Sequence, residues 1–184
     1  MINKLHKFYF ANKKLFQINN FDSVLLLVSI GVAARIIPLP PNFTPIGSIT
    51  LFVAIVSPRL PALCVPILIM LVSDYIRGFN PIWYVYVAFI IITFIGFLFK
   101  GRFNSSLSIL SVSLASSLSF FIITNFGVWV TSNFYSKDLS GLAECYYLAI
   151  PFFWNTLIST LLFSTIIFGL YYRLKGNQLS YASV

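Results

Sequence analysis

Charge is scarce in this chain of 184 residues. Asp, Glu, Lys and Arg together make up 9% of it, whereas about 25% is usual in soluble domains. Hydrophobic residues make up 59%. A soluble protein of this composition could not cover its surface with polar groups, so the apolar excess has to face lipid. The sequence therefore predicts an all-α, polytopic transmembrane helical bundle.

Residues that carry metal or catalytic chemistry are equally scarce. The chain has one histidine, His6, and two cysteines, Cys64 and Cys145. The sequence shows no Cys/His cluster of the kind that binds zinc or haem. It also shows neither a nucleophile–base pair nor a glycine-rich phosphate loop. We therefore expect a protein that is not an enzyme, with no metal or cofactor and two buried thiols.

Six stretches without charged residues predict the membrane spans. A span needs about 20 mostly apolar residues. The stretches at 23–34 and 60–73 are shorter and become spans only with Asp22 or Asp74 at the membrane edge or inside the bundle. Six spans are the preferred arrangement, and four result if the second and third helices form a re-entrant hairpin. The predicted helices are Phe21–Ile37, Phe43–Ser57, Ala62–Ile76, Ile82–Phe99, Ser106–Ile123 and Tyr146–Tyr172.

The chain divides into an arm, a helical domain and a tail. Residues 1–20 predict a basic arm at the cytoplasmic interface, residues 21–175 the transmembrane domain, and residues 176–184 a cytoplasmic tail. Between the last two helices, Thr124–Glu144 is too long for a turn and too apolar for a free loop. We interpret this segment as a lid or re-entrant segment packed on the helix ends.

The positive charges fall mainly on one side of the predicted membrane. With the N-terminus inside, the outer segments hold only Arg35, Arg77 and Lys137, and the other Lys and Arg residues lie in inner segments. This bias predicts a multi-pass protein of the bacterial plasma (inner) membrane with both termini in the cytoplasm. The charges form no continuous basic face, so no nucleic-acid partner is expected. We expect the lipid bilayer as the partner of the basic residues.

Polar residues collect at the outer end, where intramembrane ionisable groups mark candidate sites. Arg35 and Asp74 either form a structural ion pair or leave Arg35 to bind a ligand carboxylate or phosphate. Trp154 is a candidate for stacking on a ring-shaped ligand, or an ordinary interfacial aromatic. Asn155 either reads the polar edge of a solute or bonds a neighbouring helix. The predicted substrate-binding residues are Arg35, Asn42, Asp74, Asn125, Trp129, Trp154 and Asn155.

Several motifs resemble those of an uncharacterised family of small bacterial membrane proteins, over about residues 30–170. Members of that family carry Gly-Asp shortly after the Asn-Thr of the last helix, where this chain has Ser159-Thr160. The role of that replacement is left open. The motifs are Arg35-x-x-Pro38, Pro41-Asn42-Phe43-Thr44-Pro45-Ile46-Gly47, Ser73-Asp74, Phe120-Phe121-x-x-Thr124-Asn125-Phe126-Gly127-Val128-Trp129, Gly141-Leu142 and Pro151-Phe152-Phe153-x-Asn155-Thr156.

The layout is also similar to the substrate-binding S components of energy-coupling factor (ECF) transporters, with the queuosine-precursor and biotin members the nearest. S components have six helices, cytoplasmic termini and an outward-facing site capped by loops. The resemblance implies a subunit for uptake of a small molecule such as a vitamin, aromatic or anionic in character. It also implies a partner, a transmembrane coupling subunit with ATPases.

On this resemblance, the small-x-x-x-small pair Ser29 and Ala33 would dock on the coupling subunit, because small residues let another helix approach closely. The alternative is a non-transporting membrane scaffold or assembly subunit. In that case, the same polar residues hold the helices of the chain together.

Overall fold

The structure is a computed structural model. It describes the backbone of residues 21–100 and 106–182 and the side chains of residues 21–100 and 107–173. Within these residues the chain is all-α, as predicted, and the arm predicted at residues 1–20 lies outside them. The six helices of the described residues are α1 (Phe21–Ile36), α2 (Ile46–Val56), α3 (Arg59–Arg77), α4 (Trp83–Phe99), α5 (Ser106–Thr131) and α6 (Leu139–Ala182).

Helix α2 lies at the centre of the bundle. It packs against all five other helices, and most of its residues are buried, whichever way they face. Leu51 and Val53 are fully buried beside Ile69 of α3 and Phe168 of α6 in one apolar core. A helix that is apolar on every side has to be enclosed by protein or lipid, and here protein encloses it.

Helix α4 approaches α2 closely at a glycine. A Cβ atom added to Gly96 would lie 2.4 Å from the Cβ of Ala54 and 3.5 Å from the carbonyl oxygen of Leu51. At the end of the same pair of helices, the Lys100 ammonium donates a hydrogen bond to the carbonyl oxygen of Ser57. The small residue sets the distance between α2 and α4, and the lysine satisfies a carbonyl at the end of α2.

Three helical stretches are long and apolar enough to cross a membrane: Arg59–Arg77, Leu107–Thr131 and Leu139–Arg173. Ile46–Val56 and Trp83–Phe99 are apolar but shorter. The 11 residues of α2 rise only about 16 Å, at about 1.5 Å per residue, against a hydrocarbon core of about 30 Å. These lengths support a membrane protein, while the number of spans and their orientation stay predictions.

The lid predicted at Thr124–Glu144 is wrong. Helix α5 continues to Thr131, α6 begins at Leu139, and only residues 132–138 join them. Polar side chains of this segment bond the backbone of their own helix. Thr131 Oγ1, for example, donates to the carbonyl oxygen of Gly127 one turn earlier. The apolar side chains of the segment lie partly between α5 and α6 and partly on the outer face, where Phe126 and Val130 are exposed.

Three other helix ends differ from the prediction by three residues or more. Helix α2 begins at Ile46 instead of Phe43, because the residues before it form a separate turn. Helix α3 begins at Arg59, directly after Pro58, which lacks an amide hydrogen and suits a helix start. Helix α6 continues to Ala182, beyond the predicted end at Tyr172 and into the predicted tail.

Candidate functional site

The connection between α1 and α2 is built on a proline turn. The amide of Phe43 donates to the carbonyl oxygen of Pro40 at 2.9 Å, and Asn42 has a φ of 63°. Proline at the second position and a left-handed residue at the third are typical of a type II turn, and asparagine tolerates that conformation. The turn therefore follows from the local sequence.

Helix α6 holds this turn in place. Asn155 Nδ2 donates to the carbonyl oxygen of Pro41 at 3.0 Å. The Ser159 hydroxyl donates to the carbonyl oxygen of Thr156 at 3.0 Å, and its Oγ also lies 3.5 Å from the carbonyl oxygen of Asn42. Gly47, at the start of α2, lies against Thr160, since an added Cβ would be 3.2 Å from its Oγ1. The Ser159-Thr160 pair that departs from the family motif thus lies at this turn.

On the opposite side, α3 ends in a glycine. Gly78 has a φ of 68°. The amide of Phe79 donates to the carbonyl oxygen of Asp74 at 2.9 Å, and that of Gly78 to the carbonyl oxygen of Tyr75 at 3.2 Å. These two bonds form a Schellman motif, which needs a left-handed residue at this position. The motif turns the chain so that Arg77, Phe79 and Asn80 lie together.

An ion pair connects the ends of α1 and α3. Arg35 Nη1 lies 2.6 Å from Asp74 Oδ1 and donates to Ser73 Oγ at 2.7 Å. The Tyr86 hydroxyl of α4 donates to Asp74 Oδ2 at 2.8 Å. Because both carboxylate oxygens have a donor, the buried charge of Asp74 is compensated. The ion pair and the Tyr86 hydrogen bond together join three helices.

A cavity of about 260 Å³ lies between these elements. Each of the six helices contributes to its lining, together with the proline turn and the turn after α3. This volume falls just below the usual range of ligand pockets, about 300–1,000 Å³, and suits a small solute. Its charged and amide lining residues are Arg35, Asn42, Asp74, Arg77 and Asn80.

The deeper wall of the cavity is apolar with a few hydroxyls. Phe89 and Phe120 line it, with their ring centroids 5.4 Å apart. Ser116 and Ser117 of α5 line it as well and are both buried. Ser116 Oγ donates to its own helix at Val112, whereas Ser117 Oγ has no hydrogen-bond partner. A buried hydroxyl without a partner carries a free-energy cost and calls for a specific explanation.

The predicted substrate-binding residues separate into two groups. Arg35, Asn42 and Asp74 line the cavity. Asn155 does not line it but supports the proline turn through Pro41. The remaining three, Asn125, Trp129 and Trp154, lie away from the cavity lining.

Each of those three residues has a position of its own. Asn125 Nδ2 donates to the carbonyl oxygen of Phe121 within α5, so its amide is used locally. Trp129 Nε1 donates to the carbonyl oxygen of Ser136 at 2.8 Å. The Trp154 side chain is 54% exposed on the outer face of α6, where interfacial aromatics are common.

Residues 132–138, which we call the α5–α6 tip, are held by local hydrogen bonds. The Lys137 ammonium donates to the carbonyl oxygens of Trp129 and Ser132 at the end of α5. Asp138 Oδ1 accepts hydrogen bonds from the Gly141 amide and the Ser136 and Ser140 hydroxyls, each at 2.8 Å. These hydrogen bonds, that from the Gly141 amide foremost, lower the pKa of Asp138 to about 2. Asp138 is therefore the N-cap of α6.

Sequence reasoning missed several lining residues. Arg77 follows Asp74 by three residues and so lies on the same face of α3, a spacing that could have identified it. Asn80 lies in the connection between the predicted helices Ala62–Ile76 and Ile82–Phe99. Ser116 and Ser117 lie within the predicted helix Ser106–Ile123, but the sequence does not show which side of that helix faces a cavity.

The predicted docking pair lies on the outer face of α1. Ser29 and Ala33 are exposed, while the intervening Gly31 is buried, and a Cβ added there would meet the side chain of Ile69. The small residues of α1 thus lie on two faces of the helix, one packed against α3 and the other exposed. In the part of the chain that the structure describes, no group of three or more His, Cys, Asp or Glu residues could hold a metal ion.

Comparison with known proteins shows the family. The model of a family of unknown function (DUF6580) matches residues 16–182. The chain belongs to this family. Membership in an uncharacterised family, predicted from the motifs, is thereby confirmed. Five of the six motifs contribute residues to the cavity, among them Arg35, Asn42, Thr44, Asp74, Phe120 and Thr156. No curated protein and no solved structure matches the chain.

Proposed function

We propose that this family member is the solute-binding subunit of a small-molecule uptake transporter, similar in layout to the S components of ECF transporters. The observation that carries the proposal is the cavity, lined by charged and amide groups at the meeting point of six helices. Polar groups inside an otherwise apolar membrane bundle are costly, and they default to functional sites.

The position of the cavity supports solute capture. Its charged residues, Arg35, Asp74 and Arg77, lie near the ends of α1 and α3, so a solute meets them first on entering from that end. Phe89, Ile92 and Ser117 lie deeper along α4 and α5. A polar entrance over a mostly apolar interior is typical of small-molecule sites.

The chain itself lacks an energy source, because its sequence contains no phosphate-binding loop. The proposal therefore includes a transmembrane coupling subunit with ATPases as partner. Ser29 and Ala33 form the proposed contact with that subunit, since they are small and exposed on α1. Both termini lie in the cytoplasm of a bacterial cell in this proposal.

A second candidate function is that of a membrane scaffold or assembly subunit. The observation in its favour is that the strongest polar contacts are internal. Asp74 is paired with Arg35 and Tyr86, and Asn155 bonds Pro41. If holding the helices together were the only role of these residues, the cavity would need no ligand.

Native mass spectrometry of the protein, extracted gently from its own membrane, tests the proposed function. We expect a bound small molecule, co-purifying coupling and ATPase subunits, or both. A protein that carries neither contradicts the proposal, and stable complexes with membrane proteins unrelated to transport favour the scaffold.

A double-mutant cycle on Arg35 and Asp74 separates the two candidates. Arg35→Leu leaves the Asp74 carboxylate buried without its cation, which should lower the free energy of unfolding by about 3–5 kcal/mol. The double variant Arg35→Leu/Asp74→Leu removes both charges and should recover most of that loss. Thermal unfolding in detergent measures the difference.

Solute retention by the double variant separates the two candidate functions, which stability alone does not. For a solute-binding subunit, the double variant folds but no longer retains the solute found by mass spectrometry. For a scaffold, the double variant keeps its assembly. Retention of solute in the stable double variant would remove Arg35 and Asp74 from the proposed site.

A further inference from the structure

The charge of the cavity points to a class of solute, an inference that rests on the function proposed above. Two arginines and one aspartate line the cavity, so its lining carries an excess of positive charge. Asp74 balances the half-buried Arg35, so the excess charge is that of Arg77, which is exposed at the cavity entrance and accessible to a ligand.

Asp74 is not free to bind a cationic solute. Its Oδ1 atom is 2.6 Å from Arg35 Nη1, and its Oδ2 atom accepts the Tyr86 hydroxyl at 2.8 Å. A cation would have to displace one of these donors. The carboxylate therefore serves to hold Arg35 in position.

Both arginines keep unused donors. All hydrogen bonds of Arg35 to described residues are made by Nη1. Its Nη2 and Nε atoms therefore remain available to a ligand. Arg77 has no carboxylate partner among the described residues, where Arg35–Asp74 is the only salt bridge. Its guanidinium lies 4.5 Å from the centroid of the Phe79 ring. Guanidinium groups of this kind bind carboxylates and phosphates through paired hydrogen bonds.

The interior of the cavity offers a second contact. Ser117 is 1% exposed, lines the cavity and has a hydroxyl without a partner. A hydrogen-bonding group on the ligand would relieve that cost. Between Ser117 and the arginines, Phe89 and Phe120 provide an apolar surface for a flat body.

We propose that the cavity binds a small organic anion. Its carboxylate or phosphate pairs with Arg77 and the unused edge of Arg35. Its body packs on Phe89 and Phe120, and a polar group at its far end bonds Ser117.

The test uses three probes of one shape and different charge: benzoate, benzamide and benzylammonium. Their binding to the detergent-solubilised protein is measured by saturation-transfer NMR. We expect benzoate to bind at least about tenfold more tightly than the other two, as one charge-assisted hydrogen bond allows. Arg77→Gln should remove this preference and Arg77→Lys should restore part of it. Arg59→Gln, at the other end of α3, is the matched control and should leave the preference unchanged.

A second pair of probes tests the deep contact. The hydroxyl of 4-hydroxybenzoate should improve binding over benzoate, and Ser117→Ala should abolish that gain. Because the substitution removes an unpartnered hydroxyl, the unfolding temperature should not fall. A gain that survives in Ser117→Ala would overturn this part of the assignment.

The outcomes separate this inference from the proposed function. Equal or tighter binding of benzamide or benzylammonium overturns the anion assignment, while solute binding itself stands. Binding of none of the probes also overturns the assignment. The proposed function fails only if mass spectrometry of the protein from its own membrane also finds neither a solute nor transporter subunits.

Discussion

At the scale of single residues, the chain places each unusual backbone conformation next to the cavity. Asn42 and Gly78 are the residues with positive φ among those described, at 63° and 68°. One follows the proline pair before α2, and the other ends α3. Both turns bring polar side chains to the cavity, so local conformation and site composition are linked.

Substitution of Asn42 separates these two roles. Asn42→Gly keeps the left-handed conformation and should leave the unfolding temperature nearly unchanged. Asn42→Ala should lower the free energy of unfolding by roughly 1 kcal/mol or more, because Cβ disfavours this conformation. Both variants remove the amide from the cavity and should weaken solute binding equally. Unequal binding losses would show that the turn, and not the side chain, determines affinity.

At the scale of the helices, close approach between α2 and α4 determines the width of the bundle beside the cavity. Alanine normally favours a helix over glycine by about 1 kcal/mol. At Gly96 the added methyl would lie 2.4 Å from the Cβ of Ala54, which neither helix can avoid without moving.

Gly96→Ala should therefore lower the unfolding temperature, since overpacking costs typically about 1–3 kcal/mol. Gly169→Ala is the matched control, because an added Cβ at Gly169 meets nothing within 4 Å. That variant should be neutral or stabilised by up to about 1 kcal/mol. Equal effects of the two substitutions would contradict the close packing of α2 on α4.

The start of α6 predicts a response to acid. The pKa of Asp138 is lowered from 3.8 to about 2 in the folded chain, so the unfolded state binds its proton first as the pH falls. The stabilisation of the α5–α6 tip is complete above pH 3.8 and is lost as the pH falls toward about 2. Fluorescence of Trp129, whose indole bonds Ser136, reports the tip once the other two tryptophans are replaced by phenylalanine.

Asp138→Asn is the control for this titration. Asparagine is also a good N-cap, but its amide does not titrate in this range. The acid transition of Trp129 fluorescence should therefore disappear in Asp138→Asn while the signal at neutral pH is kept. A transition that persists would arise from another group.

At the scale of the whole molecule, the distribution of positive charge predicts the orientation in the membrane. The Leu60→Cys and Asn133→Cys variants place one thiol in the first turn of α3 and one in the α5–α6 tip, both at exposed positions. With Cys64 and Cys145 replaced by alanine, an impermeant maleimide should label Asn133→Cys on intact cells. It should label Leu60→Cys only after the membrane is opened. The reverse pattern would contradict the positive-inside orientation.

The sequence by itself determined the class of protein and most of the helices. Scarcity of charge predicted the all-α membrane bundle. The gaps between predicted helices at 38–42 and 77–81 hold the prolines and the glycine of the two turns, because these residues restrict or permit backbone conformations locally. The continuous helix through Thr124–Thr131 was missed, since polar side chains that bond their own backbone look the same in sequence as those of a loop.

Only the tertiary structure decided which polar residues meet. The sequence placed Arg35 and Asp74 at the same end, and the packing of α1 on α3 brings their atoms to 2.6 Å. The packing also places Arg77 and Ser117 in the cavity lining, whereas Trp129 and Trp154 lie outside it. The physical reason is that hydropathy acts along one helix, whereas a cavity depends on the rotation and depth of six helices packed together.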